Sequence, residues 1–74
     1  MNRIASLRKS LSISQSALAG KINSVPSRIA NFEASRRRPD IQTCWMIVNA
    51  LNELGANCTL EQVFPNPNNN NEPS

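Results

Sequence analysis

The sequence predicts an all-α domain of four to five short helices. Three observations lead there. Apolar residues recur at helical spacing in four separate segments. Residues suited to starting a helix, Ser14, Pro26 and Asp40, stand at the head of three of them. The length of 74 residues allows one core at most, and a core of that size buries only about 60% of the surface its unfolded chain exposes.

Residues 2–10 form the first predicted helix, with Ile4, Leu7 and Leu11 at positions i, i+3 and i+7. Ser10, Ser12 and Ser14 bring cap and turn chemistry after it. Ser14 precedes a second helix, where its hydroxyl can satisfy orphan N–H groups. That helix is expected to turn Ala17, Leu18 and Ile22 inward, with Ala19 small enough to admit a crossing helix. Asn23 tolerates the left-handed conformation that ends helices. Pro26 suits the first position of a third helix, from about Pro26 to Ala34, which would bury Ile29 and Phe32.

Asp40 caps a fourth helix whose apolar positions are Ile41, Cys44, Trp45, Ile47, Val48, Leu51 and Leu54. This stripe is wider than one small core needs, and Met46 adds apolar surface on another face. Gly55 terminates the helix. Residues 56–61 alternate apolar and polar, which favours a short strand over the competing reading, a last helical turn capped at Thr59 with Gln62 three residues on. The folded domain spans residues 1–64, and the Asn- and Pro-rich segment 65–74 has nothing to bury and is expected to be disordered.

Charge is placed unevenly. All eight basic residues lie in residues 1–38 with Glu33 as the only acid, a balance of +7. The remainder holds four acids and no base, or −4, which gives the overall +3. One end is suited to a polyanion and the other to something else.

The segment from Ser14 to Pro39 joins two short helices through a tight turn at Asn23-Ser24-Val25. Such a pair can set its second helix into a DNA major groove while the first crosses the backbone. Ser27, Arg28 and Asn31 are the candidate base contacts. Arginine pairs bidentately with guanine, asparagine with adenine, and serine is tolerant. Gln15, at the start of the first helix of the pair, is a candidate phosphate contact. So are Arg36, Arg37 and Arg38 in the loop after the second helix, which would add affinity with little sequence information.

These residues resemble a known family, the Cro/C1-type (xenobiotic-response-element, XRE) helix-turn-helix proteins, over about residues 3–51. Ile-Ser-Gln-Ser-Ala-Leu-Ala-Gly-Lys-Ile (13–22) is similar to the family's Leu-Ser-Gln-x-x-Leu-Ala-x-x-Leu. Ile-Ala-Asn-Phe-Glu (29–33), followed by Ala-Ser-Arg-Arg-Arg-Pro, is similar to its Ile-x-x-Ile/Leu-Glu-Asn-Gly-x-x-x-Pro. The resemblance implies a lambda-repressor-like bundle and a dimeric repressor on double-stranded DNA. It matches Gln15, Ser27, Arg28 and Asn31 to DNA-contacting positions. It also implies a structural ion pair between Arg8 and Glu33.

Two departures stand out. Asn23-Ser24-Val25 replaces the usual Gly-Val-Ser turn, which removes the customary serine cap and leaves either Ser24 or Pro26 alone to set the helix start. Pro26 occupies a position that often reads a base.

Asn31-Phe32-Glu33 and the stretch 54–61 further resemble HipB-type antitoxins, which implies a homodimer paired through a C-terminal strand and a HipA-like kinase toxin as partner. The corresponding dimer interface would comprise Trp45, Met46, Leu54, Cys58 and Leu60. A phage Cro/C1-like regulator without a toxin is the alternative.

Other classes fit poorly. The chain has no histidine and no Gly-rich phosphate loop, so an enzyme is not expected. Two isolated cysteines without histidine cannot build an ordinary zinc site, and no cofactor is implied. Cys44 and Cys58, in a chain without a signal-peptide pattern or a membrane-spanning apolar run, are expected to be reduced thiols of a cytoplasmic, bacterial or phage-encoded protein associated with the nucleoid.

Overall fold

A computed structural model describes residues 2–65 of the chain. They form five helices: α1 (Ile4–Ser10), α2 (Gln15–Lys21), α3 (Pro26–Glu33), α4 (Ile41–Glu53) and α5 (Leu60–Val63). Most of the expected tail, from residue 66 on, lies outside the described residues.

The helix starts follow the capping chemistry in the sequence. Ser14 accepts a hydrogen bond from the Ala17 N–H at 2.9 Å, and Asp40 accepts one from the Thr43 N–H at 2.8 Å. Such caps are worth about 1 kcal/mol each. α1 starts two residues later than its pattern indicated, at Ile4, with Asn2 just ahead of it. The Asn2 amide donates to the Phe32 carbonyl at 2.7 Å and its oxygen accepts from Ile4 N–H at 3.2 Å. Asn2 therefore links the start of α1 to the end of α3.

Helix ends are equally local. Ser12, Asn23 and Ser35, with φ of 58°, 60° and 61°, take the left-handed conformation after α1, α2 and α3. Gly55 does so after α4 at φ 115°, a value beyond what a side-chain-bearing residue adopts comfortably.

The core gathers one face of every helix: Ile4, Leu18, Ile29, Ile47, Leu51 and Val63 are fully buried, with Phe32 beside them. α2 packs most extensively on α3 and also on α4. Leu18, Ala19 and Ile22 point inward as their spacing requires. Ala17 does not: it is exposed, and its expected inward placement is corrected. Leu18 and Ile22 already fill that face.

The expected strand at 56–61 does not form. Thr59 instead caps α5 in a full capping box, accepting from Gln62 N–H at 3.2 Å while the Gln62 side chain accepts from Thr59 N–H at 3.0 Å. Asn52 at the end of α4 completes the change. Its side chain accepts from Cys58 N–H at 2.9 Å and donates to the Cys58 carbonyl at 3.0 Å. Both backbone groups that a strand ladder would use at Cys58 are thereby taken. A bond from Arg3 N–H to the Val63 carbonyl at 2.8 Å closes α5 onto the chain's start.

Candidate nucleic-acid interface

α3 is held from behind and free in front. Ile29 and Phe32 are buried in the core, whereas Ser27 and Arg28, in the first turn of the helix, are exposed. Asn31 is half-buried. The eight residues of α3 span roughly 12 Å at 1.5 Å per residue, comparable to the width of a DNA major groove.

The start of α3 resolves the question left by the missing serine cap. Val25 is the N-cap, with no side-chain cap bond, and Pro26 stands in the first turn. Ser24 does not substitute, since its hydroxyl is buried without a hydrogen-bond partner. Pro26, lacking an N–H, leaves one fewer donor to satisfy.

The arginine loop returns to the same helix. Arg36 and Arg37 donate their backbone N–H groups to the Asn31 carbonyl at 2.9 and 3.3 Å, with Ser35 in the left-handed turn between. Arg36, Arg37 and Arg38 are all exposed. Arg28 lies over the Phe32 ring with its guanidinium carbon 5.6 Å from the centroid, within cation–π range. It is also near enough to Asp40 to help hold that carboxyl below its usual value, behind the larger effect of hydrogen bonds from Thr43. The arginine loop is thus tied through its backbone to the helix that carries Arg28.

The helix pair is braced by a cluster around Glu33. Arg8 donates to Glu33 through Nε at 2.7 Å and Nη2 at 3.2 Å, and its Nη1 donates to the Ile13 carbonyl at 2.9 Å. Both side chains are 10% exposed. The Gln15 amide also donates to Glu33, at 3.0 Å. Burial alone would raise the Glu33 pKa. Hydrogen bonds from Arg8 and Gln15 and the charges of Arg8 and Lys9 outweigh it and hold the carboxyl below its usual value. One carboxylate thereby ties α1, the first residue of α2, and the last residue of α3.

Gln15 was expected to face phosphate; in the free protein its amide nitrogen is committed to Glu33. Periodicity gives no sign of that bond, nor of the Arg8 contact to Ile13, because the partners are set by tertiary packing. Lys21 pairs with Glu53 at 2.9 Å on the surface, which contributes little.

The helix-turn-helix family model matches residues 4–54, from the first residue of α1 to the end of α4. The chain belongs to the Cro/C1-type helix-turn-helix family. No curated protein and no solved structure matches it. As an XRE-type member it is a DNA-binding regulator, and α2 and α3 are the two helices of its motif. Among the described residues, no group of His, Cys, Asp and Glu could hold a metal ion. No described helix is long and apolar enough to cross a membrane.

The five residues expected at a dimer interface divide. Trp45 and Met46 are 49% and 38% exposed, and Ile41, not included in that set, is 66% exposed. Cys58 is buried within the chain's core, and Leu54 and Leu60 pack against that core. Cys58 lies among the buried residues of the core, and the strand expected to carry it is not formed. Burial pushes up the thiol pKa of Cys58, and of Cys44, which keeps both in the unreactive protonated form.

Proposed function

We propose that the protein is a transcriptional repressor that binds a palindromic operator as a homodimer, with α3 in the major groove of each half-site. The observation that carries this reading is the joint exposure of Ser27 and Arg28 at the start of α3 beside an exposed triple-arginine loop tied back to Asn31. Arg28 would read guanine, Ser27 and Asn31 would contact neighbouring bases, and the loop arginines would bind phosphates. Gln15 reaches a phosphate only through an amide hydrogen or oxygen left over from its bond to Glu33.

Self-association is supported by exposed apolar residues on α4, Ile41 and Trp45 on one side and Met46 about 100° round the helix from Trp45. The sequence from 41 to 52 holds no charged residue, so two copies could meet there without like-charge repulsion. A dimer of this kind would space its α3 helices about 34–36 Å apart, one turn of DNA. The HipA-like kinase partnership is implied by the HipB-type resemblance of Asn31-Phe32-Glu33 and 54–61, and the pairing strand that the same resemblance implies is not formed at 56–61. The regulator acting without that toxin is therefore the reading taken here.

Replacing Arg28 with alanine tests the assignment. In gel-shift titrations on duplexes selected from a random pool, specific affinity should fall by about 1–3 kcal/mol and selectivity should relax at one position per half-site. Unchanged affinity and selectivity would remove α3 from the recognition role.

A further inference from the structure

Val25 is an exposed apolar residue at a place where stability favours a polar one. It is the N-cap of α3, is 55% exposed, and makes no cap bond. Valine ranks among the poorest N-cap residues and serine among the best. α2, α4 and α5 all carry side-chain caps, from Ser14, Asp40 and Thr59. α1 and α3 lack one, and of the two residues at those starts, Arg3 and Val25, only Val25 is apolar.

The leading edge of α3 is otherwise bare of polar groups. Ser24 is half-buried with its hydroxyl turned inward, and Pro26 has neither an N–H nor a polar side chain. Main-chain groups aside, the side chains a groove meets on this edge before Ser27, those of Val25 and Pro26, offer only C–H surface. Among the base features displayed in the major groove, the one that favours such surface is the C5-methyl of thymine; the rest are donors and acceptors that contact with valine would desolvate. Val25 also lies one turn before Arg28, whose N–H bonds to the Val25 carbonyl at 3.0 Å.

We infer that Val25 is a specificity residue that packs on a thymine methyl next to the guanine read by Arg28. This inference rests on the placement of α3 in the major groove. It assigns Val25 a base preference beyond the contacts of Ser27, Arg28 and Asn31.

The test uses the full chain and the duplex it selects from a random pool at fixed salt. Each thymine of that duplex is replaced in turn by deoxyuridine, which removes only the methyl group. Wild-type protein should lose about fourfold in affinity at one thymine per half-site, the effect of withdrawing one buried methyl. Val25→Ser should bind the thymine and deoxyuridine duplexes equally at that position, while its own melting temperature rises as the cap is restored. Val25→Thr, which keeps one methyl, should retain part of the discrimination. If every thymine-to-deoxyuridine change affects wild type and Val25→Ser alike, the Val25 assignment is overturned and groove recognition by α3 stands. If wild type selects no sequence from the pool, both fall together.

Discussion

Removing the Glu33 carboxylate is the most severe single change the structure offers away from the apolar core. Glu33→Ala deletes the acceptor of two bonds from Arg8 and one from Gln15. Arg8, only 8% exposed, then keeps a single partner, the Ile13 carbonyl. An uncompensated charge of this kind costs about 3–5 kcal/mol. A domain of 74 residues has a total stability on the order of 4–11 kcal/mol at the usual value per residue, so the variant should lose between about a quarter and all of it.

Urea titration followed by far-ultraviolet circular dichroism at pH 7 measures the loss as a fall in midpoint at unchanged slope. Replacing both Arg8 and Glu33 with methionine should be less damaging than Glu33→Ala alone, because no charge is left stranded. The pH dependence follows from the depressed pKa. The Glu33 contribution is complete above the unfolded value of about 4.3 and is lost as pH falls through the lower folded value. Wild type and Glu33→Gln should therefore differ most near neutrality and converge in acid. A Glu33→Ala midpoint within about 1 kcal/mol of wild type at pH 7 would refute the claim that this cluster braces the helix pair.

Two further outcomes probe DNA affinity and assembly. Arg37→Ala or Arg38→Ala should weaken binding to all sequences alike and reduce the slope of log affinity against log salt by about one unit, measured by fluorescence anisotropy across a salt series; a sequence-selective loss would place that arginine at a base. Trp45→Glu should convert dimer to monomer in sedimentation equilibrium at tens of micromolar, since a central tryptophan at an interface contributes about 2 kcal/mol or more, roughly thirtyfold in dissociation constant. Undisturbed dimer would move the interface off α4.

Local chemistry made most of this fold legible. Ser14 and Asp40 cap the helices they precede, Asn23 and Gly55 end the ones they follow, and Ile29 and Phe32 are buried as their spacing required. What escaped was set by contacts distant in sequence or by competition between equal local signals. Six alternating residues at 56–61 suit a strand and a capped turn alike; the outcome was decided by Asn52, whose amide holds the Cys58 backbone. Ala17 fitted an inward stripe, yet alanine loses little by facing water, so it could not reveal which side of α2 was occupied. Exposure of Ser27 and Arg28 was readable from the apolar positions beside them. The Gln15 bond to Glu33 spans 18 residues and has no signature in either segment.

The two halves of α3 serve different ends. Its N-terminal turn has no side-chain cap and no acidic residue, although either would stabilise a helix start. Carboxylates there would also repel DNA phosphates, so their absence suits an end turned toward a polyanion. An isolated helix of eight residues is not stable in water, and this one forgoes the usual local aids. Its position must then come from the other half, where Ile29 and Phe32 are buried, the Phe32 carbonyl accepts from Asn2, and Glu33 grips Arg8 and Gln15. The exposed end of the helix is thus supported by packing at the other. Ser27 and Arg28 are exposed, Arg28 meeting the core only over the Phe32 ring, so under the proposed readout the bases they favour can differ while the bundle that presents them stays the same.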